Sequence, residues 1–238
     1  MSYTVEHTEI VNNTNADIRS GCEVRLIHVK INDAEQRLKT VIDAINDTTW
    51  CQKMADDTLR KAYKAARDKT VKKLMAEIFN QITVPISVEA GEYVISLTAQ
   101  DVLTSNFEHT HIPLAELWKE KSAKNPGFDF HTITQTNLIL FGEAKFSKNK
   151  NRYAHGLEQT SRFIDEKKDK YDKTFLMNII ADKTPLDNLD SGARAFCVAF
   201  SLHTCRPKQI LRNAVKQIKE FHLDKHPEFF VIGVEICQ

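Results

Sequence analysis

The spacing of hydrophobic residues changes character along the chain. Before about residue 103, apolar positions recur mostly at helical intervals; after residue 127, short apolar runs alternate with longer polar stretches. In the first half, CEVRLIHVKI (22–31) reads as a short strand. Asn32, with Glu35 at capping-box spacing, opens a helix in which Leu38, Val41, Ile42 and Ile45 recur at helical period. A longer helix is predicted over about 56–81, with Leu59, Ala62, Ala66, Leu74, Ile78 and Phe79 on its apolar face. Its middle, RKAYKAARDKTVKK (60–73), holds seven basic residues against one acidic. Pro85 interrupts the pattern and suggests a boundary, with a small α+β N-terminal domain over 1–84 and a second domain over 85–238.

Beyond that boundary, Ser87 is placed to cap a helix running to about Leu103, with Val88, Ile95 and Val102 on a buried stripe. A short helix over 114–124 stops before the turn signal Asn125-Pro126-Gly127. GFDFHTI and NLILFGEAKF then read as two strands of a hairpin turning near TQTN (134–137). A long polar helix is predicted over about 151–172, and FLMNIIA (175–181) fits helix or strand equally. RAFCVAFSLHT (194–204) reads as a strand, PKQILRNAVKQIKEF (207–221) as a helix with Pro207 in its first turn, and EFFVIGVEI (228–236) as a final buried strand. Alternation of this kind predicts an α/β fold, a mixed sheet covered by helices.

Composition narrows the class. At 238 residues, 42% hydrophobic and 27% charged, the chain has the make-up of a soluble globular protein with a sizeable core. No apolar run reaches the roughly 18 residues of a membrane span, and MSYTVEHTEIVNNTN lacks the order of a signal peptide. A cytoplasmic location is therefore expected. Five scattered cysteines without a CxxC pair argue for reduced thiols over a disulfide or zinc framework. A net charge of +1 leaves nucleic acid open, since local clustering matters more than the total. Glycine is scarce, yet Gly127, Gly142 and Gly156 fall in one window, where unusual dihedrals or close backbone approach are expected.

That window carries the candidate chemistry. Glu143 and Lys145 sit two residues apart in an otherwise apolar strand and must share one face, with Gly142 and Ala144 on the other. In the predicted hairpin Asp129 lies opposite the 141–143 region. Two carboxylates brought together raise each other's pKa unless a cation intervenes, and a hard divalent ion such as Mg²⁺ takes oxygen ligands of this kind. Lys145 is then placed to position an attacking water and to stabilise charge on a phosphoryl oxygen. The alternative is a plain Glu143–Lys145 salt bridge. The apolar setting, the preceding PGxD turn, the following polar helix and an earlier helix bearing Glu89 and Glu92 favour a site.

GFDF followed at fourteen residues' distance by EAK resembles the PD-(D/E)xK nuclease superfamily, over about 85–238. The resemblance implies a restriction-endonuclease-like core in which Asp129, Glu143 and the carbonyl of Ala144 hold Mg²⁺ (Mn²⁺ substituting) and Lys145 serves the water. It also implies a further acid on the first helix, Glu92 in preference to Glu89, and a glutamine after the ExK strand, matched by Gln159. Where some relatives carry a tyrosine four residues later, this chain has Phe163. The small N-terminal region joined to PGFD…GEAKF is further similar to the nuclease subunit of the Hachiman anti-phage defence system. That similarity implies a DNA substrate, an antiviral role and a helicase partner restraining the nuclease.

Of the remaining features, SKNKNR offers Lys148, Lys150 and Arg152 beside the motif for phosphate contact. The basic helix over 60–73 reads first as a solvated face and second as a surface lying along a phosphate backbone, and His131 first as a surface histidine and second as an aid to the metal or phosphate. No small-molecule cofactor is expected beyond the metal, and no covalent nucleophile motif is present. A non-catalytic nucleic-acid-binding or regulatory subunit and an RNA-directed nuclease remain open alternatives.

Overall fold

The computed structural model describes residues 2–14, 18–54, 56–79, 86–119 and 127–237. In chain order the elements are β1 (Tyr3–Val11), β2 (Glu23–Ile31), α1 (Ala34–Asn46), α2 (Thr49–Gln52), α3 (Asp57–Glu77), α4 (Val88–Phe107) and β3 (Thr110–His111). A 3-10 turn at Ala115–Leu117 precedes β4 (Phe130–Ile133), β5 (Ile139–Lys145), α5 (Tyr153–Asp165), α6 (Lys168–Leu176) and α7 (Thr184–Asp190). β6 (Ala195–Ser201), α8 (Pro207–Glu220), a second 3-10 turn at Leu223–Lys225 and β7 (Glu228–Ile236) complete the chain.

The strands form one mixed sheet in the order β1-β2-β7-β6-β5-β4-β3. β2, β7, β6 and β5 run parallel at its centre, while β1 and the β4–β3 side pair antiparallel at the two edges. The protein is thus mixed α/β, with helices on the sheet. The boundary expected at 84/85 lies outside the described residues. Strands from both sides of it share this sheet, because β2 pairs with β7 along its whole length, from Glu23↔Glu228 to Ile31↔Ile236.

The register separates the two faces. Phe141, Glu143 and Lys145 align with Phe196, Val198 and Phe200 on one face, where α5 and α8 pack. Gly142 aligns through Cys197 with Phe230 on the other, where Phe107 of α4 meets the Phe230 ring edge-on at 6.1 Å. Helix α4 covers that face and is nearly enclosed, so a single apolar stripe understates its burial. Buried Arg37 of α1 anchors to it, donating Nε to Thr98 Oγ1 (2.9 Å) and Nη1 to Asp101 (2.7 Å).

Local chemistry explains most boundaries. Asp33 rather than Asn32 caps α1, accepting from Gln36 N at 2.8 Å, and Asp56 and Ser87 cap α3 and α4 in the same way. The hairpin turns where expected, with Asn137 at φ +59°, a conformation Asn tolerates. The predicted long helix over 151–172 is broken in two by Lys167 at φ +57°, and FLMNIIA begins as the end of α6.

The structure departs from expectation at four places. β1 was not anticipated, although its buried–exposed alternation is that of an edge strand. The apolar face expected for α3 holds at Leu74 and Phe79, which are buried, but not at its start, where Leu59 and Ala62 are exposed; Arg67 and Val71 point inward with Leu74. Arg67 is buried because its Nη2 donates to the carbonyl of Ile45 (3.0 Å) at the end of α1 while Nη1 pairs with Asp68 (2.7 Å). Val88, expected on the buried stripe of α4, is exposed in its first turn. The helix expected over 114–124 is a 3-10 turn in its described part, and its remainder with Asn125-Pro126 lies outside the described residues.

Candidate functional site

Strand β5 carries the centre of the candidate site. Side chains alternate along it, so Glu143 and Lys145 share a face, and Lys145 Nζ donates to Glu143 Oε1 at 2.5 Å. Glu143 is fully buried, and its Oε2 has no hydrogen-bond partner among the described residues. Burial, then the nearby charge of Asp129, push the Glu143 pKa well above the usual carboxylate range, against the pull of Lys145. Burial acts to lower the Lys145 pKa, but the charges of Glu143 and Asp129 and the hydrogen bond to Glu143 outweigh it and raise it.

Asp129 meets β5 on its other edge. Its N–H donates to the carbonyl of Gly142 (2.9 Å), and its Oδ2 accepts from the N–H of Ala144 at 2.8 Å. The Ala144 carbonyl faces the same edge, since the two backbone groups of a strand residue point the same way. Close approach makes this geometry possible. A Cβ on Gly142 would stand 2.3 Å from the Phe130 ring, and one on Gly156 would stand 2.6 Å from Val198 and 3.6 Å from Lys145 Cγ. Neither glycine has positive φ. The glycine window therefore serves packing rather than unusual dihedrals.

Beside Asp129 opens a cleft lined by Glu92, Tyr93, Ser96, Leu114 and Glu116. Glu92, half-buried on α4, faces it, whereas Glu89 is exposed in the first turn. Glu116 was not anticipated. It sits in the 3-10 turn, and burial, followed by the charges of Asp129 and Glu92, pushes its pKa up to about 8. The signal was available, because Glu116 stands in the apolar run IPLAELW much as Glu143 stands in NLILFGEAKF.

Behind the cleft lies a second polar cluster that sequence reading missed. Lys119 Nζ donates to Asp172 Oδ2 (2.6 Å) and to the carbonyl of Phe128 (3.0 Å), and His131 Nε2 lies 3.0 Å from the same Asp172 oxygen. All three side chains are buried. The expectation of a surface His131 is thus corrected: its ring packs against Trp118 and Phe141 at 5.2 Å, and burial lowers its pKa. Because Lys119 holds the carbonyl of Phe128, the cluster fixes the backbone immediately before Asp129.

The remaining predicted residues lie apart. Gln159 is half-buried on α5, one turn beyond Gly156, with no hydrogen bond to Glu143 or Asp129. Phe163 is fully buried against Phe128 (5.3 Å) and is part of the core. Lys148, Lys150 and Arg152 are exposed in the connection between β5 and α5.

Two carboxylates and a strand carbonyl at one sheet edge match the oxygen donors Mg²⁺ takes, and the unpartnered Glu143 Oε2 fits such a ligand. Among the described residues, no three His, Cys, Asp or Glu side chains stand together as a metal-holding group. Side chains alone do not complete a site. No helix among these residues is long and apolar enough to cross a membrane. No protein-family model, no curated protein and no solved structure matches the chain.

Proposed function

We propose that the protein is a divalent-metal-dependent nuclease that hydrolyses DNA phosphodiester bonds on a restriction-endonuclease-like core. One observation carries the reading. Glu143 is wholly buried, held at one oxygen by Lys145 and left unpartnered at the other, with Asp129 near enough to raise its pKa. A purely structural pair would be expected to satisfy both oxygens, because an orphaned buried acceptor costs about 1–3 kcal/mol.

Asp129, Glu143 and the Ala144 carbonyl would hold Mg²⁺ or Mn²⁺, which supplies electrophilic activation of the phosphate. Lys145 orients the attacking water and offsets charge on the phosphoryl oxygen. Glu92 and Glu116 add further carboxyl oxygens along the cleft that Asp129 shares. Lys148, Lys150 and Arg152 receive flanking phosphates. The Hachiman resemblance extends the proposal to an antiviral complex in the cytoplasm with a helicase partner.

A catalytically restrained subunit is the second reading. It is favoured by the closed Glu143–Lys145 contact and by the lack, among the described residues, of three His, Cys, Asp or Glu side chains grouped so as to hold a metal. The test is incubation of the purified protein with plasmid, linear duplex, single-stranded DNA and RNA in Mg²⁺ or Mn²⁺, beside Glu143→Ala and Lys145→Ala. Metal-dependent cleavage of DNA by the wild type, with losses on the order of 10²-fold or more in the variants, supports the nuclease. Cleavage confined to RNA would reassign the substrate. Metal-induced stabilisation of the wild type without cleavage supports restraint. The absence of both cleavage and metal-induced stabilisation would overturn both readings.

A further inference from the structure

Helix α3 is the most basic element near the cleft, and the fold turns it into a ridge. Its inward face is Tyr63, Arg67, Val71 and Leu74, so at 100° per residue the opposite face carries Lys61, Lys69, Lys72 and Lys73, with Ala62, Ala65 and Ala76 between them. All four lysines are exposed. Lys69 and Lys72 have no acidic partner among the described residues, Lys73 reaches Glu77 only at 3.9 Å, and Lys61 shares Asp57 with Arg60. Asp68, the one acid within 60–73, is tied to Arg67 at 2.7 Å. The ridge therefore keeps most of its positive charge.

Its position gives that charge a use. α3 packs directly on the 3-10 turn that carries Glu116, one of the residues lining the acidic cleft. Lys73 is close enough to Glu116 to act on its ionisation. From Lys61 to Lys73 the helix rises about 18 Å, a span of roughly five phosphates along one strand. Lysines at this spacing, separated by alanines, let a phosphate backbone approach without steric hindrance.

We infer that the lysine face of α3 is a phosphate-tracking surface that leads a nucleic-acid strand to the acidic cleft beside Asp129. The inference rests on the nuclease reading. It assigns substrate contact to the N-terminal part of the chain, where a solvated face is the first expectation and a phosphate contact the second. An acidic protein partner is the competing occupant. Nucleic acid is favoured because the ridge ends at the acids proposed to handle a phosphodiester, and a cleft of carboxylates needs flanking cations to admit a polyanion.

The test measures binding without cleavage. Full-length protein in chelator is titrated into fluorescently labelled single-stranded and duplex DNA at several salt concentrations. Lys69→Ala/Lys72→Ala/Lys73→Ala is compared with wild type and with Lys208→Ala/Lys216→Ala on α8, which packs on β2 and β7. Alanine keeps helix propensity, and Lys69→Arg/Lys72→Arg/Lys73→Arg retains the charge. We expect the alanine triple to bind about tenfold or more weakly, with the log–log salt slope reduced by about 2–3, since each phosphate contact contributes about 0.7–0.9. The arginine triple and the α8 control should bind as wild type does. Wild-type binding that the alanine triple retains at the same slope overturns the ridge and leaves the nuclease reading in place. A wild-type protein that binds no DNA at low salt overturns both.

Discussion

Asp129 Oδ2 accepts the backbone N–H of Ala144 at 2.8 Å, joining the acid before β4 to the residue that separates Glu143 from Lys145. One carboxylate thus both closes the edge of β5 and brings negative charge to Glu143. Asp129→Ala removes the acceptor and leaves the N–H unpaired, a loss of about 1–3 kcal/mol. Asp129→Asn keeps an acceptor and should cost less. Urea unfolding of the two variants in chelator should rank them in that order. Equal stability would mean the hydrogen bond is not formed in solution.

Lys145→Met should destabilise the protein by about 3–5 kcal/mol near neutral pH, because it leaves Glu143 buried without its cation. The Glu143 pKa already lies above its ordinary value, and losing Lys145 raises it further. Its unfolded state therefore releases the proton first, and stability is lost as pH rises above the unfolded pKa. The destabilisation should be smaller at pH 5 than at pH 8, read from chemical denaturation at both. A pH-independent loss would count against a buried acid–base pair.

Glu116 makes a related case with a defined window. Its pKa rises from near 4.5 to about 8, so the native state holds a proton that the unfolded state has released between those values. Stability contributed by this group falls as pH increases from about 4.5 to about 8, and Glu116→Gln should flatten that dependence. Added Mg²⁺ should oppose the fall in the wild type if the cleft attracts the cation. Thermal unfolding across pH 5–8.5, with and without the metal, reads both effects. An unchanged slope in the variant would place the titration elsewhere.

Asp172 holds two buried groups, Lys119 at 2.6 Å and His131 at 3.0 Å. Asp172→Ala strands the lysine in a nearly closed setting and should cost about 3–5 kcal/mol. Asp172→Ala/Lys119→Met removes both charges and should recover part of that loss. A double-mutant cycle on unfolding free energy measures the coupling. Additive single effects would show that the two side chains do not pair.

Gly91 places α4 against the end of β5: a Cβ there would stand 2.3 Å from the Phe146 ring. Gly91→Ala should destabilise by about 1–3 kcal/mol through overpacking. It should also shift Glu92, the next residue, away from the cleft. Phe146→Leu should relieve much of the strain, which the Tm of the double variant would show.

Much of this protein was legible without coordinates because its second half obeys local rules. The alternation in NLILFGEAKF puts Glu143 and Lys145 on one face whatever the sheet around it, and the turn at TQTN sets the hairpin that brings Asp129 alongside. Ser87 and Pro207 mark helix starts through backbone chemistry that depends only on neighbours in sequence. Tertiary structure decided the rest. Only pairing with a distant strand puts β2 beside β7, only packing on α1 and the 3-10 turn turns Arg67 inward and the lysines of α3 outward, and only the meeting of that turn with α4 places Glu116 in the cleft with Asp129 and Glu92. These are contacts between residues far apart in the chain. Their free energy comes from surfaces that exist only once the elements have met, which a short window of sequence does not contain.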